Sequence, residues 1–287
     1  MEVSQKNIQI ECLDQRRISG IVYLPAQAPK AAVLIAPATG ITKEFYTYFA
    51  QDLCQQGYGV LVFDFRGVGE SIEGKLCQDN SSIVDWGQLD LSAALDQLQI
   101  EFPETSYHLI GHSAGAQLSG LTNSKTKLTS QFCFAGSTGR LKNMKMPFWI
   151  KAQFFMRVFI PLSNVIFGYA KLELMGMGHS IPKKVANQWS RWCRTEGYIK
   201  AGMGRDFEQH HYAQIEHPMF WVHASDDFIA NRKNVEEIVA IHPKASSEIL
   251  TLEPKEYGCR EIGHMNFFRR SYSTLWPLAY EWLAKHC

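Results

Sequence analysis

The string GHSAG (111–115) sets a serine between two glycines. A serine hydroxyl is a weak nucleophile until a base takes its proton and an acid holds that base in place. The surroundings of Ser113 suit that task. The apolar run SYHLI (106–110) precedes it and helix-prone residues follow, so Ser113 is predicted on a tight strand-to-helix turn with its hydroxyl projecting. Gly111 and Gly115 are needed there because side chains would block the close approach of neighbouring backbone. The helix that follows would aim N–H groups at a developing oxyanion, with Ala114 as the first donor.

The strand–GHSAG–helix pattern resembles the serine turn of the α/β-hydrolases, and that resemblance implies an acid later in the chain than the serine and a histidine later still. The strand-like MFWVHA (219–224) runs into Ser225-Asp226-Asp227, an acid just past the carboxyl end of a strand, where open α/β sheets bind their ligands. Asp227 is the favoured acid because the residues after the strand form the turn and the next one can point back. Asp226 is the alternative, and the unused aspartate would serve as a turn or cap acceptor. EIGHMNFF (261–268) offers His264 as the base, between the last strand and the last helix. Of the other histidines, His108 and His223 fall within strands and His112 within the serine turn. His210 and His211 precede the acid, His286 is at the tail, and His242 is the remaining one between acid and final helix. The second oxyanion donor is expected from Thr39 or Gly40 in the loop after AAVLIA (31–36), where a glycine lets a backbone N–H turn inward. The turn DFRGVGES (64–71) reads as structural, with Asp64 and Arg66 bonding local backbone. It is too short to cradle phosphate.

Positioning these groups falls to an alternation of strands and helices. NIQIEC and RRISGIVYL read as an antiparallel hairpin around Leu13–Gln15. AAVLIA and YGVLVFDF (58–65) are continuous apolar runs, as strands covered on both faces show. A helix over 45–56 separates them, closed by Gly57. Ser82 with Asp85 marks the start of a long helix to about Phe102. QFCFA (131–135), MFWVHA and SSEILTL (246–252) are further strands, and a final helix runs from about Tyr272 to Lys285. The alternation predicts an α/β fold, a mostly parallel central sheet with helices on both faces. It breaks between about Thr138 and Asp206, a stretch without a convincing strand and rich in methionine (144, 146, 156, 175, 177) and aromatic residues. So long a stretch is expected to be a helical insertion with its own packing. The domain reading is therefore a core of 1–137 and 207–287 interrupted by the insertion 138–206.

Composition narrows the class of function. The 287 residues are 46% hydrophobic and 20% charged, with a formal net charge of +1. That is a globular chain without the basic surplus of a nucleic-acid binder. The seven cysteines are scattered and never spaced C-x-x-C, which points neither to a zinc site nor to a disulfide framework. No metal or organic cofactor is expected. The charged opening MEVSQKNIQIEC lacks the apolar core of a signal peptide. The longest apolar stretch, between Arg157 and Lys171, falls short of the roughly 18–20 residues that span a bilayer. The expectation is a soluble, cytoplasmic protein.

With Ser113, Asp227 and His264 in that order, the chain resembles the serine α/β-hydrolases. DFRGVGES is similar to the D-x-R-G-x-G-x-S turn common in that superfamily. More narrowly, APATGITKEFYTYFA, DFRGVGES, GHSAGAQL, SDDFIA and GHMNFF resemble a family of bacterial predicted α/β-hydrolases. Many members of the superfamily carry His-Gly at the first oxyanion loop, whereas this chain has Ala38-Thr39-Gly40. The resemblance implies an α/β-hydrolase fold in which the insertion is a helical cap over the site. Phe148, Trp149, Phe155 and Met156 would then line an adaptable apolar pocket for an acyl substrate. Two other readings of that segment stand beside it: packing of the cap on the core, and interfacial membrane contact, with Lys142, Lys145, Lys151 and Arg157 flanking the apolar residues. The activity implied is hydrolysis of an ester or thioester of a hydrophobic acyl group. Acyl transfer by the same triad, or ligand binding without turnover, are the alternatives.

Overall fold

A computed structural model describes residues 3–287. Among the described residues ten strands run in chain order as β1 (Ser4–Glu11), β2 (Arg17–Leu24), β3 (Ala32–Ala36), β4 (Gly59–Phe63), β5 (Tyr107–His112), β6 (Leu128–Phe134), β7 (Tyr169–Ala170), β8 (Ile181–Pro182), β9 (Met219–Ala224) and β10 (Ser247–Leu252). Eight of them form one sheet in the order β1-β2-β4-β3-β5-β6-β9-β10. The hairpin β1–β2 pairs antiparallel and β2 joins β4 antiparallel, while every pair from β4 to β10 is parallel. The central strands β3, β4 and β5 are buried at every residue, which is why they read as unbroken apolar runs. Edge strand β1 alternates, with Ile10 buried and its neighbours in solvent.

The predicted helices form with local causes that can be named. The helix Thr47–Gln55 stops at Gly57, whose φ of 92° suits glycine alone. Ser82 and Asp85 make a reciprocal capping box. The rod they open runs through Ile83–Asp85, a π turn at Trp86–Leu91 and Ser92–Glu101. Three features of the core differ from the sequence reading. β5 continues past Ile110 to His112, so the strand feeds directly into Ser113. The C-terminal helix is two pieces, a 3₁₀ stretch Arg270–Leu275 and a helix Pro277–Ala284, because Pro277 starts a new helix and cannot donate into an older one. Asp64 and Arg66 do more than bond local backbone. Buried Lys43 ion-pairs with Asp64 at 2.9 Å, and Arg66 with Asp90 at 2.6 Å and Asp14 at 2.7 Å.

The stretch 138–206 lies between β6 and β9 and adds no strand to the main sheet. Its main element is a helical rod made of Phe148–Phe154, a π turn Phe155–Phe159, and Ile160–Ile166. A second helix, Lys183–Arg194, packs against it: Phe155 meets Trp189 edge-on and the Ser190 hydroxyl donates to the Met156 carbonyl. The expectation of no strand here misses the two-residue hairpin β7–β8, too short to leave a period-2 pattern. Polar bonds tie the stretch to the core. Thr138 and Asn143 bond Asn234 and Glu237, the His179 N–H donates to the Gly40 carbonyl, and the Gln188 side chain accepts from the Ile83 N–H.

Candidate active site

Parallel pairing brings the carboxyl ends of β3, β5, β6, β9 and β10 to one edge of the sheet: Ala36 lies beside Gly111, His112 beside Phe134, Phe134 beside Val222 and Ala224 beside Leu252. The loops leaving that edge carry Thr39, Gly40, Ser113, Asp227 and His264. Ser113 follows β5 with φ 50° and ψ −108°, a conformation that costs a non-glycine residue on the order of 1–3 kcal/mol and is kept only where surrounding packing enforces it. The packing here leaves no room for side chains at the flanking glycines. A Cβ on Gly111 would collide with the Ala116 Cα, and one on Gly115 with the Ala36 carbonyl oxygen.

A continuous row of hydrogen bonds crosses the edge. His264 Nε2 lies 3.0 Å from Ser113 Oγ, and His264 Nδ1 lies 2.7 Å from Asp227 Oδ2. The Asp227 side chain is fully buried, and its other oxygen accepts from the N–H groups of Ile229 and Ala230 at 2.8 and 2.9 Å. Burial alone would raise this carboxyl. The charge and hydrogen bond of His264, with the two N–H groups, outweigh it and hold the group below the ordinary carboxylate range. Since Asp227 is ionised and can only accept, Nδ1 of His264 carries a proton, and in the neutral form of the ring Nε2 faces Ser113 as the acceptor. Asp226 has separate work. Its two oxygens accept from the N–H groups of Ile262 and Gly263, both at 2.9 Å, and so clamp the loop that carries His264.

The first oxyanion loop is a turn closed by the Ile41 N–H donating to the Ala38 carbonyl, with Gly40 at φ 69°. Gly40 is walled in by the His179 carbonyl, 2.7 Å from where a Cβ would lie. The N–H groups of Thr39, Gly40 and Ala114 find no acceptor among the described residues. The contact of Gly115 with Ala36 brings the two donor segments side by side. Of the four predicted substrate-binding side chains, Phe148 stacks on Phe228, the residue after Asp227, with ring centroids 5.3 Å apart. Trp149 is partly in solvent. Phe155 and Met156 are buried against the helix Lys183–Arg194 instead, because the rod turns that face to its neighbour.

Two groups that sequence reasoning passed over tie the site together. His112, fully buried, donates from Nε2 to the His264 carbonyl at 3.0 Å, and its Nδ1 lies 2.9 Å from the Tyr46 hydroxyl. A carbonyl only accepts, so Nε2 bears the proton. Burial first, and then nearby His264, push this imidazole down to about 3, so it is neutral and Nδ1 must accept. Tyr46 therefore donates to His112, and its oxygen is left to accept from the Ala38 N–H at 2.9 Å. The result is a directed chain from the oxyanion loop to the histidine loop. No local pattern announces it, because Tyr46 and His112 meet only across 66 residues of chain. No group of three or more His, Cys, Asp or Glu among the described residues is placed to hold a metal ion. A cavity of about 930 Å³ lies at the opposite edge of the sheet, lined by Leu128, Thr129, Glu216 and His217, away from Ser113.

Solved structures share this architecture. The esterase Pf2001 of Pyrococcus furiosus superposes with a TM-score of 0.63 at 17% identity, covering 99% of this chain and 93% of that one. A thermophilic esterase of Thermogutta terrifontis gives 0.59 at 16% identity, covering 98% and 100%. The acylaminoacyl peptidase of Pyrococcus horikoshii gives 0.60 at 12% identity, covering 99% of this chain and 41% of that one. The fold is that of the α/β-hydrolases. The family model described as serine aminopeptidase S33 matches residues 27–253, and the chain belongs to that family of serine hydrolases. No protein of curated function matches it by sequence.

Proposed function

We propose that Ser113, His264 and Asp227 form a catalytic triad that hydrolyses an ester or thioester of a hydrophobic acyl group. The row Asp227–His264–Ser113, with spacings of 2.7 and 3.0 Å, carries this reading. His264 Nε2 takes the Ser113 proton as Oγ attacks the acyl carbonyl, and Asp227 stabilises the imidazolium that results. The free N–H groups of Ala114 and of Thr39 or Gly40 receive the oxyanion. Protonated His264 then gives its proton to the leaving alcohol or thiol. Water, activated by the same imidazole, releases the acid from the acyl-enzyme. In this reading GHSAG is the nucleophile elbow and 138–206 a cap, with Phe148 and Phe228 forming an apolar rim for the acyl chain. Seven free thiols support a reducing, cytoplasmic setting.

The test is intact-mass detection of fluorophosphonate labelling. One adduct on the wild type and none on Ser113→Ala is the expected outcome, and a folded wild type that takes no adduct overturns the triad. A panel of p-nitrophenyl esters of increasing acyl length, set against aminoacyl p-nitroanilides, then separates ester from peptide substrates. Rates that rise with chain length support the acyl reading. Preferential cleavage of the anilides replaces it with aminopeptidase action.

A further inference from the structure

The rod Phe148–Ile166 is apolar on its buried side and on its outer side as well. Ala152, Phe155, Met156 and Ile160 face the protein. Ile150, Phe154, Val158, Leu162 and Ile166 form an i, i+4 row that is 40% to 68% exposed, and Val165 beside it is 81% exposed. In a regular α-helix such a row drifts around the axis. The wider π turn at Phe155–Phe159 offsets the drift and keeps the row on one face. A surface helix is normally polar on its outer side, so a bare apolar row of this length marks a face with a partner.

Charge identifies that partner. The whole chain is nearly neutral, yet residues 138–171 hold Arg140, Lys142, Lys145, Lys151, Arg157 and Lys171 and no Asp or Glu. Lys142, Lys145, Lys151 and Arg157 are exposed and make no ion pair among the described residues. Lys151 and Arg157 each lie three residues from Phe154, and so sit next to it on the helix surface. An apolar strip on a segment whose only charged residues are cations complements a layer with an anionic surface above an apolar interior. That is an acidic bilayer, and a protein face would offer no such depth of apolar medium.

We propose that this face docks on the surface of an anionic membrane, with the row Ile150–Ile166 sunk into the boundary between headgroups and acyl chains and the cations on the acidic headgroups. No helix is long and apolar enough to cross a membrane among the described residues, so the contact is in the plane of the surface. The docked face adjoins the candidate site: Phe148, at the start of the rod, stacks on half-exposed Phe228, the residue after Asp227. The proposal concerns a surface and holds whether or not Ser113 is a nucleophile.

Vesicle flotation of the full chain tests it, with phosphatidylcholine vesicles and with vesicles that also contain phosphatidylserine. The wild type should float with the anionic vesicles at low salt, bind neutral ones at least tenfold more weakly, and be released by added salt. Phe154→Ser/Leu162→Ser and Lys145→Glu/Lys151→Glu should each weaken binding by about tenfold or more, with thermal midpoints unchanged because all four positions are exposed. No flotation with either vesicle, or variants that float like the wild type, overturns the proposal. So does a concentration-dependent dimer in sedimentation velocity that Phe154→Ser/Leu162→Ser abolishes while vesicles fail to bind, since the face would then belong to a second copy.

Discussion

Adjacent aspartates do different work in this site because their side chains leave the chain in opposite directions. Asp227 is buried against the imidazole, whereas Asp226 reaches across to the backbone of Ile262 and Gly263. Asp227→Asn keeps the shape but offers Nδ1 an amide that no longer enforces the productive tautomer. A loss in kcat of about 10⁴ is expected. Asp226→Asn loses one acceptor of two and loosens the loop under His264, so a loss nearer tenfold is expected, together with a lower thermal midpoint. Steady-state kinetics on both variants checks this, and the reverse order would move the acid to Asp226. The pair was legible from sequence as two candidates after a strand, with Asp227 favoured. The clamp made by Asp226 was not, since its partners lie 36 and 37 residues further along the chain.

Elements matter here through what their ends share. The loop after β3, the 3₁₀ turn Lys43–Tyr46, the end of β5 and the histidine loop meet at the Tyr46 hydroxyl and the His112 ring. Tyr46→Phe removes the one group that both accepts from Ala38 and donates to His112, leaving two buried polar groups unpaired. The cost is about 1–3 kcal/mol for each group. Stability should fall accordingly, and kcat should fall more than KM rises, because the donor loop and the histidine lose their common anchor. A thermal midpoint and a kcat and KM pair on Tyr46→Phe measure both. A variant that loses stability with kcat intact would confine Tyr46 to packing. The strands that bring these ends together were readable from their apolar runs. The end of β5 was not: His112 looks like loop by residue type, yet it occupies a strand position buried on every side.

For the molecule as a whole, buried histidines set the acid limit of stability. Burial first of all pushes His112 down to about 3 and His108 and His242 to about 4, and the partial burial of His217 takes it to about 4 as well. The unfolded chain, with histidines near 6.5, therefore binds more protons than the native state between those values. Stability is full above pH 6.5 and falls as pH drops toward 4. Asp90, raised to about 6 by its burial, acts the other way, as do Asp52 and Asp64, which burial also raises. Urea midpoints taken from pH 7.5 to 4.5 should fall steadily, and His108→Asn should flatten the curve. A flat wild-type curve would contradict the burial of these rings. The sequence by itself determined the parallel sheet, the serine turn with its two glycines and the order of serine, acid and histidine. Those follow from local periodicity, backbone sterics and position along the chain. Only the tertiary structure decided which side chains share a hydrogen bond, that Phe155 and Met156 turn inward while Phe148 meets Phe228, and that one face of the rod Phe148–Ile166 is bare. Each of these depends on where distant segments pack, and an apolar residue looks the same in sequence whether its neighbour is another helix or nothing in the chain at all.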